Sequence, residues 1–137
     1  MTRIYLPLGR AGLATAWERA ELGPAPLIAY AVTPGLRAAY GAERELDELE
    51  YAAYELAVDA SRTALASDER RRLVVAADAA TVRADEGEVG RVVVPEPVPW
   101  SAVVSIHADT DDLRPDGGDD AELAWYAPQE TPDLLRS

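Results

Sequence analysis

Residues 43–66, ERELDELEYAAYELAVDASRTALA, decide the fold. Ala42, Leu46, Leu49, Ala53, Leu56, Ala60 and Ala64 recur at alternating steps of three and four, which is the period of one helix face, and Ala57 and Val58 broaden it. The spacing predicts a helix over Glu43–Ala66. Its apolar face is small in volume, so the axis can lie close on a sheet, and each Leu buried there contributes about 2 kcal/mol. Seven acids, Glu43, Glu45, Asp47, Glu48, Glu50, Glu55 and Asp59, lie mostly off that face and crowd the N-terminal half, where the helix dipole favours them.

Outward from this helix the chain reads as short apolar strands. Ile4–Leu8 is the first, its pairing limited by Pro7. A glycine-containing turn (Gly9, Gly12) then leads into Leu13, Ala16, Trp17 and Ala20 at helical spacing, ended by Gly23-Pro24. That turn matches neither dinucleotide nor P-loop spacing and reads as a connector. Leu27–Val32 is a second strand. Thr33-Pro34 predicts a helix start, with the Thr hydroxyl on free amides and proline where its missing N–H costs nothing. Leu73–Ala77, Gly90–Val94, Val103–Ala108 and Leu123–Ala127 are further strands, with Thr81–Arg83 a short edge segment. Val104, Ile106 and Ala108 are expected to share one face. Thr131–Ser137 reads as a frayed tail beyond a domain of residues 1–130.

Composition narrows the chemistry. The chain has 137 residues, enough for one domain with an ordinary core, and no cysteine, which excludes disulfides, thiol nucleophiles and thiolate metal sites. The single His107 excludes a multi-histidine zinc site, and no cofactor motif occurs. Acids outnumber bases 25 to 13, for a net charge of −12. That field repels phosphate backbones and anionic lipid and favours basic proteins or cations as partners, although keeping a small protein soluble is the simpler reading of the charge. All thirteen bases are Arg. The N-terminus does not read as a signal peptide, and no apolar run reaches membrane-spanning length, so a cytoplasmic location is expected.

Several groups are candidates for chemistry. Glu48 and Glu55, two turns apart beside Tyr51 and Tyr54, could line a pocket. His107, two residues before Asp109, offers a carboxylate-held base with Ser101, Ser105 or Thr110 as nucleophile, but alternation from Ile106 points it off the core face, and a partly exposed structural His is the expectation. The Asp109–Asp120 stretch, DTDDLRPDGGDD, has six Asp. It fails the calcium-loop pattern at the fifth and sixth positions, Leu113 and Arg114, so a solvated loop is the reading and no metal site is expected. Arg70-Arg71-Arg72 is expected to neutralise nearby acids and the preceding helix end. Trp100, Trp125 and Tyr126 are expected in packing.

Assembled, the segments carry a resemblance. Arg3-Ile4-Tyr5-Leu6-Pro7, Ala29-Tyr30-Ala31-Val32-Thr33-Pro34 with Leu36-Arg37, Glu48-Leu49-Glu50-Tyr51-Ala52-Ala53, Val74-Val75-Ala76-Ala77-Asp78 and Trp125-Tyr126-Ala127 with Gln129-Glu130 cover nearly the whole chain. In this order the chain resembles a family of short, uncharacterised actinobacterial proteins, a domain of unknown function. The resemblance supports a single domain and implies no activity.

The expected fold is α+β, in the order β-α-β-α-α-β-β-β-β. It is a two-layer domain in which a mixed sheet carries the long acidic helix on one face, and a parallel crossover is open to the first strand–helix–strand unit. The expected function is a non-enzymatic binding or interaction module using the acidic helix face, with Glu48, Glu50, Tyr51, Tyr54, Glu55, His107 and Asp109 as candidate binding residues. A small-molecule binder, a carboxylate- or His-based enzyme, and a structural homo-oligomer are the alternatives.

Overall fold

The structure, a computed structural model, describes residues 1–114 and 122–136. The strands are β1 (Thr2–Pro7), β2 (Glu21–Leu22), β3 (Leu27–Tyr30), β4 (Leu73–Ala79), β5 (Arg83–Ala84), β6 (Arg91–Val94), β7 (Val98–Pro99), β8 (Val103–Ala108) and β9 (Ala124–Tyr126). The helices are α1 (Arg10–Arg19), α2 (Pro34–Tyr40), α3 (Leu46–Thr63) and α4 (Thr131–Arg136). Seven strands form one sheet in the order β5-β6-β3-β1-β4-β8-β9, and β2 pairs separately with β7. The α+β class holds.

Three details of the expected architecture are corrected. Among the described residues the strand pairs are antiparallel, so the sheet is not mixed. β1 and β3 are antiparallel too, with Tyr5 opposite Tyr30, so the first strand–helix–strand unit is not a parallel crossover. The domain also has more than two layers. Ile4, Leu6, Val75, Ala77, Ile106 and Ala108 turn away from α3 and pack with Leu13 and Ala16 of α1 and Leu134 of α4. Tyr5, Tyr30, Val74 and Ala76 face the other way, against Leu36, Ala52, Ala53 and Ala57. This is the two-residue period of a strand with both faces covered.

The tail correction follows from the same core. Residues 131–136 are helical rather than frayed, with Thr131 and Leu134 buried. The Thr131 hydroxyl donates to the Pro128 carbonyl at 2.7 Å, and the Arg10 guanidinium donates to the Leu135 carbonyl, tying α4 to α1.

Helix starts follow local chemistry. The Leu36 amide donates to Thr33 Oγ1 at 3.1 Å, with Pro34 in the first turn, so the expected cap on α2 forms. α1 begins at Gly9, which has no side chain to cap it. Glu69 does so from a distance: its Oε2 accepts from the Arg10 amide at 2.6 Å, and its Oε1 from the Ala66 amide at 2.9 Å. A carboxylate at a helix N-terminus meets both free amides and a favourable dipole.

The α3 helix is shorter than residues 43–66, and its core face is rotated from the expected one. Leu49, Ala52, Ala53, Ala57 and Ser61 are buried, while Leu46 is 52% exposed. Leu46 is the first residue of the helix and is left largely to solvent.

Candidate functional site

α3 packs over β1, β3 and β4. The sheet continues past the helix to β8 and β9, and the uncovered step is a cleft of about 680 Å³. Its floor is built by strand alternation. Tyr5 of β1 lies opposite Ala76 of β4, Ala76 opposite Ser105 of β8, and Val74 opposite His107, so these side chains share one face. Ala76 and Ser105 are short, which makes the floor deep between Tyr5 and His107. The register of β4 and β8 shifts at Ala76/Ala77: Ala76 pairs with Ser105 and Ala77 with Val103, passing over Val104. The bulge re-aims β8. Val103 is therefore buried and Val104 exposed, against the expectation that Val104 shares the face of Ile106 and Ala108.

The wall is a second stripe of α3. Asp47, Glu50, Tyr51, Tyr54, Glu55, Val58 and Asp59 line the cleft at steps of three and four, beside the stripe that enters the core. Glu122 and Leu123, just before β9, also line it.

Tyr54 is the hub of the aromatic surface. Its ring centroid lies 6.0 Å from that of Tyr5 in an edge arrangement, 5.8 Å from Tyr51 and 5.0 Å from His107. Burial raises the Tyr5 and Tyr54 phenols above their ordinary value, which keeps both neutral. Burial lowers His107 below its ordinary value, favouring the neutral ring. His107 Nε2 and Ser105 Oγ share a hydrogen bond of 2.9 Å.

Two arginines reach the cleft, each engaged by a carboxylate. Arg3 Nε donates to Asp78 Oδ1 at 2.7 Å across the β1–β4 pair. Arg72 donates from Nε and Nη2 to Asp109 at 2.9 and 2.8 Å, and its backbone amide donates to the same carboxylate at 2.7 Å. Five further carboxylates, Asp47, Glu50, Glu55, Asp59 and Glu122, line the space. The cleft is aromatic at its hub and negative along its length.

The candidates from sequence divide accordingly. Glu50, Tyr51, Tyr54, Glu55 and His107 meet in the cleft. Glu48 does not: it is exposed and pairs with Arg44 at 3.0 Å, one turn back on the outer surface. The His107–Asp109 pairing does not form, because Asp109 is 5% exposed and committed to Arg72. Two of the three consecutive arginines meet acids, as expected of the run: Arg71 donates to Asp112 and Arg72 to Asp109, while Arg70 donates to the Ser67 and Glu69 carbonyls. The part of the Asp-rich stretch at residues 115–120 lies outside the described residues. Trp125, expected in packing, is 62% exposed on β9, opposite His107.

Sequence reasoning missed Tyr5, Arg3, Ser105 as a cleft residue, and Glu122. Tyr5 was legible as the polar-tipped residue alternating with Ile4 and Leu6. Glu122 had no local signal. Among the described residues, no group of three or more His, Cys, Asp or Glu side chains is placed to hold a metal ion, and no helix is long and apolar enough to cross a membrane.

No curated protein and no solved structure matches the chain. One family does, over residues 2–135, which takes in each strand and the α3 stripe that builds the cleft. The chain belongs to that family of unknown function, DUF6912.

Proposed function

We propose that this protein is a non-enzymatic binding module whose ligand seats in the cleft between α3 and β8, not on the outer acidic surface of the helix. The observation that carries this reading is the continuity of the α3 stripe from Asp47 to Asp59 with the floor residues Tyr5, Ala76, Ser105 and His107. A concave space with aromatic surface and a few convergent polar groups is the usual form of a ligand site. The carboxylates favour a positively charged ligand, in keeping with the net charge of −12.

An amide-shift screen of the ¹⁵N-labelled protein with amine, carboxylate and neutral fragments tests the reading. Hits that perturb Tyr54, Ala76, Ser105 and His107 support it. Hits confined to other surfaces, or none at millimolar concentration, overturn it.

A hydrolytic reading has one observation in its favour, the Ser105–His107 hydrogen bond at 2.9 Å with His107 held neutral. A neutral His beside a hydroxyl is the first requirement of an activated serine. Ser105 is nearly buried at mid-strand, which opposes attack on a substrate. Covalent labelling of Ser105 by a fluorophosphonate, absent from His107→Gln, would decide for the enzyme.

A further inference from the structure

The shape and lining of the cleft narrow the ligand further, and this step rests on the binding reading above. The α3 wall is not uniformly acidic. Asp47 and Glu50 form one carboxylate pair and Glu55 and Asp59 another, with Tyr51 and Tyr54 between them and Val58 beside the second pair. The midpoints of the two pairs lie 8.5 residues apart, about 13 Å of helix axis. The order along the α3 wall is therefore negative, aromatic, negative, with the fifth carboxylate, Glu122, facing Tyr54 from another segment. The two arginines that reach it are paired with Asp78 and Asp109, so the lining keeps a net negative charge even though Arg3 also attracts Glu50.

An organic anion would face five carboxylates. A neutral apolar ligand would cover the tyrosines and leave the acids without compensation. A single compact cation would satisfy one pair only. A linear chain with an ammonium group near each end satisfies all three zones: the charges at the carboxylates, the methylenes on Tyr51, Tyr54 and Val58, and an ammonium close enough to a tyrosine face for cation–π attraction. We propose that the cleft binds a free linear aliphatic polyamine, with its terminal ammonium groups at Asp47/Glu50 and Glu55/Asp59.

A protein of net charge −12 attracts any polycation, so the test must read position and specificity rather than binding alone. Calorimetry and amide shifts of the intact protein with spermidine, butylamine, 1,8-octanediol and a short dilysine peptide, in physiological salt, provide this. Saturable one-to-one binding of spermidine, with shifts at Tyr51, Tyr54, Ala76 and His107, is expected. Glu50→Gln with Glu55→Gln should weaken it about tenfold, as loss of close charge partners does. Glu43→Gln with Glu86→Gln, which removes the same charge from exposed positions outside the cleft, should leave it unchanged.

Equal weakening by both double variants would overturn the proposal in favour of diffuse attraction. Butylamine binding as tightly as spermidine would overturn the two-ended geometry. A tighter dilysine peptide would overturn the free amine in favour of a protein side chain. If spermidine fails while octanediol or another neutral fragment still shifts the cleft amides, the polyamine falls and the binding cleft stands. If nothing enters the cleft, both fall.

Discussion

Arg72 and Asp109 are bound to each other four times over. Two side-chain bonds and the Arg72 amide converge on one carboxylate, and the Asp109 amide returns a bond of 3.0 Å to the Arg72 carbonyl. The pair joins the start of β4 to the end of β8, and Arg72 itself lines the cleft that holds His107. Removing one member of a buried ion pair costs more than the pair is worth, because the other charge keeps its desolvation. Asp109→Ala should therefore destabilise the fold by about 3 kcal/mol. Arg72→Met with Asp109→Leu should recover most of that loss. Urea unfolding of the three variants measures both effects; a mild single variant would show that the pair is not the clamp described.

His107 gives the protein an acid-sensitive component. Burial lowers the folded-state pKa below the ordinary value of 6.5. As pH falls through the unfolded value, the unfolded chain takes up a proton that the folded chain does not. The stabilising contribution is thus complete above that value and is lost as pH falls from there toward the lower folded value. Unfolding free energies of wild type and His107→Gln should differ by a constant amount above about pH 7.5, and the difference should move in favour of the variant as pH falls below about 6.5. Parallel profiles through that window would mean that His107 is not desolvated.

Glu69 acts as the N-terminal cap that the α1 sequence lacks. Glu69→Ala should cost about 1 kcal/mol, the usual value of a lost cap. A Cβ on Gly9 would collide with the Glu69 carboxylate, so Gly9→Ala should displace it and cost a similar amount. Because both changes remove one interaction, the double variant should be markedly less than additive in thermal unfolding. Strict additivity would separate the two residues.

Gly90 enters β6 with φ of 80°, and a Cβ there would meet Leu56 Cδ1 at 2.8 Å. Its carbonyl accepts from the Ala31 amide at 2.9 Å, so the backbone cannot readily relax. Gly90→Ala should lose about 2 kcal/mol through combined strain and overpacking. A variant as stable as the parent would show that the turn has room to move.

How much of this was legible depends on the range of the interactions. The Thr33 cap, the α3 helix and the main strands follow from neighbours in sequence, and they appear where the residue pattern puts them. The alternation of Tyr5 with Ile4 and Leu6, and the stripe from Asp47 to Asp59, are also local, so five of the candidate residues reached the cleft. What failed was set at a distance. Asp109 stands two residues from His107 but is claimed by Arg72, 37 residues away. Glu69 reaches α1 across 59 residues. Leu46 fits the helical period yet stays exposed at the helix start, and α4 is held by contacts far away in sequence, with Leu134 in the core beside α1 and Arg10 on the Leu135 carbonyl.

The central claim is that the space between α3 and β8 receives a ligand, and filling that space tests it most directly. Ala76→Leu places extra volume on the floor, and Tyr51→Ala removes an exposed part of the wall. The measurement is the amide-shift titration of both variants with the fragments that bind wild type, with thermal unfolding confirming that each remains folded. The predicted result is loss of binding in Ala76→Leu and weakened binding in Tyr51→Ala. Unchanged affinity in a folded Ala76→Leu variant would contradict the claim.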